Sequence, residues 1–126
     1  MAPQRVLLVD DQPTALDILR SGLLHAWPAC RVDVAGNAAQ ARPLIAHNRY
    51  DAIITDYFLG DGTGLQLAQM ARTRLPEAAI VLVSASHYAL AGAEADARDA
   101  GIDLLPKPLD LGRLVRAVDS GLKVMP

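Results

Sequence analysis

Five residues spread along the chain could do chemistry together: the pair Asp10 and Asp11, then Asp56, Ser84 and Lys107. Each follows a short apolar run. Val6-Leu7-Leu8-Val9 precedes the acidic pair, Ala52-Ile53-Ile54-Thr55 precedes Asp56, Ile80-Val81-Leu82-Val83 precedes Ser84, and Asp103 to Pro106 precedes Lys107. An aspartate after a strand is ordinarily a turn or cap residue; the weight comes from four such ends carrying suited groups. Three carboxylates gathered at one edge repel one another, so the site needs either raised pKa values or a hard cation. An all-oxygen set suits magnesium rather than a transition metal. Magnesium keeps positions open for phosphate oxygens, while a lysine and a small hydroxyl add one point charge and one neutral donor. The combination implies phosphoryl chemistry on an aspartate, with Asp56 as the reacting group.

The elements that must position these residues alternate between strand and helix patterns. Arg5 to Asp10 reads as a buried strand, and Pro13 opens a helix in which Ala15, Leu16, Leu19, Leu23 and Leu24 recur at helical spacing until Trp27-Pro28. Arg31 to Ala35 alternates polar and apolar residues as an edge strand does. Gly36-Asn37 precedes an alanine-rich helix running to about His47, which Pro43 is expected to kink or shorten. The strand Ala52 to Asp56 leads into the turn formers Gly60-Asp61-Gly62-Thr63-Gly64 and a helix from about Leu65 to Arg74. Ala79 to Ser84 is the fourth strand. A helix from about Ala89 to Ala100, short of apolar bulk and expected to pack loosely, ends at Gly101. Asp103 to Pro106 is the fifth strand, and Asp110 caps a last helix with Leu111, Leu114, Val115 and Val118 toward the core. Strands apolar on both faces and crossovers long enough for helices predict an α/β fold, a five-stranded parallel sheet with helices on both faces. Such sheets place their chemistry beyond the carboxyl ends of the strands.

Composition narrows the function classes. The 126 residues form one expected domain, residues 1–126, with 52% hydrophobic and 21% charged residues and a net charge of -2. That charge leaves no basic footprint for nucleic acid. No apolar run is long enough for membrane insertion, and Met1 to Arg5 lacks the build of a signal peptide, so a cytoplasmic location is expected. Cys30 is the one cysteine and reads as a small buried apolar residue. His25, His47 and His87 have no ligand spacing, and read as surface residues on two helices and a loop. No G-x-S-x-G elbow surrounds Ser84, and no dinucleotide or P-loop glycine pattern occurs.

With Val9-Asp10-Asp11, Asp56 and Gly64 eight residues on, Ser84-Ala85 and Lys107-Pro108, nearly the whole chain resembles the receiver domain of two-component response regulators. The resemblance implies a flavodoxin-like receiver fold with sheet order 2-1-3-4-5. It implies that Asp56 is the phosphoacceptor, attacking the phosphohistidine of a sensor histidine kinase or phosphotransfer protein. Mg²⁺ would be held by Asp11, Asp56 and the backbone carbonyl of Phe58, with Asp10 acting through water; another divalent cation could serve. Lys107 would pair with a phosphoryl oxygen and Ser84 would turn toward the phosphate, drawing the following loop with it. The family's Lys-Pro bond is cis, and its kinase docks on the exposed edge of the first helix. Self-catalysed phosphoryl transfer and autodephosphorylation are implied, not an enzyme acting on small molecules.

The sequence departs from the family pattern at three places. Leu104 stands where receivers usually carry an aromatic residue, so a ring rotation coupled to Ser84 is unavailable; Tyr88 reads as an exposed loop residue rather than a substitute. Gly60 replaces a common proline, which should loosen the loop. Phe58 and Ser86 occupy positions that tune phosphate lifetime, and a bulky Phe58 could shield the phosphate from water. Two readings follow: a phosphorylation-driven switch of a partner-binding surface, favoured by the five retained residues, and a non-phosphorylated receiver-like protein-interaction module, toward which Leu104 leans. No effector sequence follows the last helix, so the chain is expected to be a stand-alone receiver or a receiver from a longer protein with an output domain. Asp56-Tyr57 with Asp61-Gly62, and Leu105 to Asp110 followed by Arg113-Leu114, are similar to receivers of hybrid sensor kinases.

Overall fold

A computed structural model describes residues 2–122. Met1 and the tail Lys123-Val124-Met125-Pro126 lie outside the described residues, and so do the two ends of the expected domain 1–126. The strands are β1 (Arg5–Val9), β2 (Arg31–Ala35), β3 (Ala52–Asp56), β4 (Ala79–Ser84) and β5 (Ile102–Pro106), paired in parallel in the order β2-β1-β3-β4-β5. Between and after them run α1 (Pro13–Ala26), α2 (Ala38–His47), α3 (Gly64–Arg74), α4 (His87–Ala100) and α5 (Leu111–Gly121). This is the expected α/β receiver fold. Among the described residues no helix is long and apolar enough to cross a membrane.

Alternation along each strand sends neighbouring side chains to opposite faces. Leu7, Ile53, Ile80 and Leu82 pack against α2, α3 and α4, while Val6, Leu8, Ile54 and Val81 meet Leu16, Leu23, Leu114 and Val118 of α1 and α5. The sheet is therefore covered on both sides, which is why its inner strands are apolar without interruption. Beyond β2 no strand is paired among the described residues, and the exposed Arg31 and Val34 account for its mixed pattern.

Helix starts are set by side-chain caps. Asn37, Thr63, Ser86 and Asp110 each accept a hydrogen bond from the backbone N–H three residues on. The cap at Ser86 begins α4 two residues earlier than the alanine-rich stretch suggests, so His87 and Tyr88 belong to its first turn rather than to a loop. Pro43 neither ends nor shortens α2, which runs the full length to His47. Both Pro43 and Ala39, whose carbonyl loses its helical partner, are exposed, so water can satisfy that carbonyl. Leu111, expected in the core, is 37% exposed and rests instead on Gly22 of α1, where a Cβ would come within 2.9 Å of it.

Arg72 of α3 ties several chain reversals together. Its Nε donates to the Ala100 carbonyl at 2.7 Å and its Nη2 to that of Gly101 at 2.9 Å, while Nη1 donates to the carbonyls of Ala78 at 2.7 Å and Pro76 at 3.0 Å. The end of α4 is fixed there, with Gly101 in the left-handed region at φ 66°. Elsewhere α4 is lightly packed: only Ala93 and Ala97 are buried.

Candidate functional site

The carboxyl ends of β1, β3, β4 and β5 converge, and they bring Asp10, Asp11, Asp56 and Lys107 together. Asp10 follows β1 directly, is 2% exposed, and accepts a hydrogen bond from the Gln12 N–H at 3.0 Å. Asp11 is turned to solvent, and Asp56 closes β3 partly buried. One carboxylate oxygen from each of the three lies within 4.8 Å of the others, the one such cluster of metal-ligating side chains among the described residues. Three hard anionic oxygens at that spacing, partly covered and partly open, fit a divalent cation of the magnesium or calcium type.

Lys107 answers the cluster from β5. Its Nζ donates to Asp10 Oδ2 at 3.2 Å and to Asp56 Oδ2 at 3.3 Å. Its backbone N–H donates to the Ser84 carbonyl at 2.9 Å, and the Lys107-Pro108 peptide is cis, as the resemblance implies. Burial pushes the Asp56 carboxyl above the usual range, against Lys107, which lowers it, and with Asp10, which raises it further. Burial alone would lower the Lys107 ammonium; the neighbouring charges of Asp56 and Asp10 outweigh it and raise its pKa. The pair thus holds a firmly charged lysine beside an aspartate whose negative charge is costly without a cation.

Ser84 lies on the same edge, 1% exposed, but its hydroxyl is engaged by its own loop, accepting the Ser86 N–H at 3.0 Å. Phe58 stands two residues beyond Asp56 in a tight loop that bridges it to Thr63, where the Gly64 N–H donates to the Tyr57 carbonyl at 2.7 Å. Its ring is 55% exposed and packs edge-on to Tyr57 with centroids 4.8 Å apart. Gly60 takes φ 81°, a conformation that suits glycine, and Gly64 lies where any Cβ would overlap the Asp56 carbonyl. Leu104 of β5 is partly buried against the α2–α4 side of the core. Tyr88 is 91% exposed, and the three histidines are all at the surface, at the ends of α1 and α2 and the start of α4.

Two features escape the sequence reading. An apolar hollow of about 250 Å³ adjoins the acidic cluster, lined by Ile18, Leu19, Pro108 and Leu109 together with Asp10, Asp56 and Lys107. Ile18, off the core-facing repeat of α1, was its sequence signal. The other is Asp61, whose carboxylate reaches across to the start of α2.

Residues 6–119 match the family model of the response regulator receiver domain. The response regulator protein PilR of Pseudomonas aeruginosa is 35% identical over 125 residues, covering 98% of this chain and 27% of that protein, so the chain spans a minor part of that relative's length. A response regulator structure from Burkholderia pseudomallei, with a phosphorylated aspartic acid, calcium ion and citrate, aligns with a TM-score of 0.79 at 25% identity, over 91% of this chain and 66% of that one. The response regulator TrrA of Thermotoga maritima in complex with Mg²⁺ and BeF shares the fold, with a TM-score of 0.81 at 24% identity, over 94% of this chain and 99% of that one. With its fold, its acidic cluster and its facing lysine, the chain belongs to the response regulator receiver domain family: it is a phosphoacceptor domain with a divalent-cation site.

Proposed function

We propose that Asp56 accepts a phosphoryl group from the phosphohistidine of a sensor histidine kinase or phosphotransfer protein, and that the surface around α4 and β5 then changes its affinity for a partner. The observation that carries this assignment is the Lys107 ammonium seated between Asp10 and Asp56 beside a three-carboxylate cluster. An Asp56 oxygen attacks phosphorus, the P–N bond breaks with its electron pair passing to the imidazole, and an aspartyl phosphate results. Lys107, already drawn to Asp56 Oδ2, moves its charge onto a phosphoryl oxygen. The Tyr57 N–H, 2.9 Å from Asp56 Oδ1, orients the carboxylate. Mg²⁺, when bound, neutralises the carboxylates and the charge on the phosphoryl oxygens. Asp11, Asp56 and the Phe58 carbonyl would hold it directly, and Asp10 through water.

Ser84 gives up the Ser86 N–H to meet the phosphoryl group, which transmits occupancy of the site to α4. The apolar hollow beside Asp56, with exposed Ile18 on its wall, supports docking of the phosphodonor along α1. As one receiver domain spanning residues 1–126, the chain acts on itself, works in the cytoplasm, and passes its state to an output domain or separate partner.

The test is intact mass after incubation with acetyl phosphate, with and without Mg²⁺, beside Asp56→Asn. A metal-dependent gain of one phosphoryl group, absent from the variant, is expected. Folded protein that gains none in ample Mg²⁺ would instead be the constitutive interaction module that Leu104 favours.

A further inference from the structure

We infer that Asp61 is a positioning residue for the divalent-cation site: its carboxylate ties the loop that carries Phe58 to the start of α2, and so fixes where the Phe58 carbonyl stands. Asp61 Oδ1 accepts the Ala38 N–H at 2.9 Å and Oδ2 accepts the Ala39 N–H at 3.0 Å. Both oxygens are used, so the grip sets the orientation of the carboxylate as well as its distance. The first N–H groups of a helix have no partner within it and carry its positive pole, which suits an anionic ligand from outside. These two bonds are the main reason the Asp61 carboxyl sits below the usual range, although it is exposed.

The loop otherwise closes mainly on itself: Phe58 is bridged to Thr63, the Gly64 N–H donates to the Tyr57 carbonyl at 2.7 Å, and only the Tyr57 N–H at its start reaches another element, the Val83 carbonyl of β4 at 2.8 Å. Leu59 is buried, the Leu59 N–H donates to the Gly62 carbonyl at 3.3 Å, and Gly60 needs its positive φ for the reversal. Asp61 adds a side-chain tie from the far side of the loop to α2, which is itself fixed to the core by Ala38, Ala41 and Ile45. The inference rests on the reading that the Phe58 carbonyl is a cation ligand. A backbone ligand has no rotamer with which to correct its own position, so drift of the loop weakens the cation.

The test is calorimetric titration of the full chain with MgCl₂. Asp61→Ala should weaken Mg²⁺ by about tenfold, the lower end of what lost support behind a metal ligand does. Asp61→Asn, which keeps one accepting oxygen, should fall between. Asn37→Ala removes another cap from the same helix end, at the Gln40 N–H, without touching the loop. It should lower the melting temperature yet leave the Mg²⁺ affinity as in the wild type. An unchanged affinity in Asp61→Ala, or an equal loss in Asn37→Ala, overturns the inference; if Asp61→Ala does not fold, Asp61→Asn decides by the same criterion. Asp56→Asn separates the underlying reading: if it binds Mg²⁺ as the wild type does, the acidic cluster is not the site and both ideas fall. Loss in Asp56→Asn with none in the Asp61 variants defeats the positioning role alone.

Discussion

The Ser84 hydroxyl accepts the Ser86 N–H at 3.0 Å, and Ser86 in turn caps α4 by accepting the Ala89 N–H at 3.1 Å. Two hydrogen bonds therefore join the site to the first turn of α4, a route that needs no aromatic ring at Leu104. Ser84→Ala should still gain the phosphoryl group on Asp56 but lose the phosphorylation-dependent change in amide exchange across His87 to Leu90. An undiminished change in that variant would place the coupling elsewhere. Ser86→Ala, by losing the cap, should cost about 1 kcal/mol, or roughly 3–5 °C in Tm.

Asp56 makes stability depend on the cation. Its folded pKa is raised, so its favourable contribution is complete below the unfolded value of about 4 and is lost as pH rises through the folded one. At pH 7 without Mg²⁺, Asp56→Asn should melt above the wild type, and the gap should close as the pH falls toward 4. Mg²⁺ at about a hundred times its Kd should add roughly 2.7 kcal/mol to the wild type and far less to the variant. Thermal melts at both pH values, with and without the metal, would refute this if the wild type were the more stable without it.

At the opposite end of the sheet, the Tyr50 O–H donates to Asp33 Oδ2 at 2.8 Å, and Arg5 approaches the same oxygen at the same distance. Burial, and then the Asp33 hydrogen bond, push the phenol up to about 12. A folded pKa above the unfolded value near 10 means a contribution present below pH 10 and lost as pH climbs through about 12. Ultraviolet titration should show one tyrosine ionising late, a step absent from Tyr50→Phe. Removing the hydroxyl should cost about 1–2 kcal/mol at pH 7; a late step surviving in the variant would rule out the assignment.

Arg72→Ala strips donors from five backbone carbonyls, those of Leu75, Pro76 and Ala78 at the α3–β4 turn and of Ala100 and Gly101 at the end of α4. A loss of about 3 kcal/mol is expected in urea denaturation, with amide protection falling first near Ala100 and Gly101. Arg72→Met, which keeps much of the aliphatic stem, should recover little. Near-complete recovery would mean that packing, not hydrogen bonding, is what Arg72 supplies.

The strands, and the polar residues gathered at their carboxyl ends, were legible because both write themselves locally. Ile80-Val81-Leu82-Val83 reads as a covered strand because it is short and rich in β-branched residues, and each of Asp10, Asp56 and Ser84 follows such a run directly. Gly64 shows the limit of that logic: its spacing from Asp56 is visible in the sequence, but the reason, overlap of any Cβ with the Asp56 carbonyl, is a contact in space. Pro43 misleads because the penalty of a helical proline depends on whether the orphaned carbonyl meets water, which needs the exposure of Ala39. Arg72 and Asp61 were illegible for the same reason. Asp61 reads in sequence as one of a run of turn formers and Arg72 as nothing in particular, while their partners lie up to 23 and 29 residues away.

The thin attachment of α4, two alanines inward and an arginine-held end, also bears on how such a domain diversifies. Ala93 and Ala97 satisfy the core with the least side chain available, so most of the helix surface owes nothing to folding. Substitutions there can accumulate with little stability penalty, and a lineage can acquire a new listener while the phosphate-handling residues stay as they are.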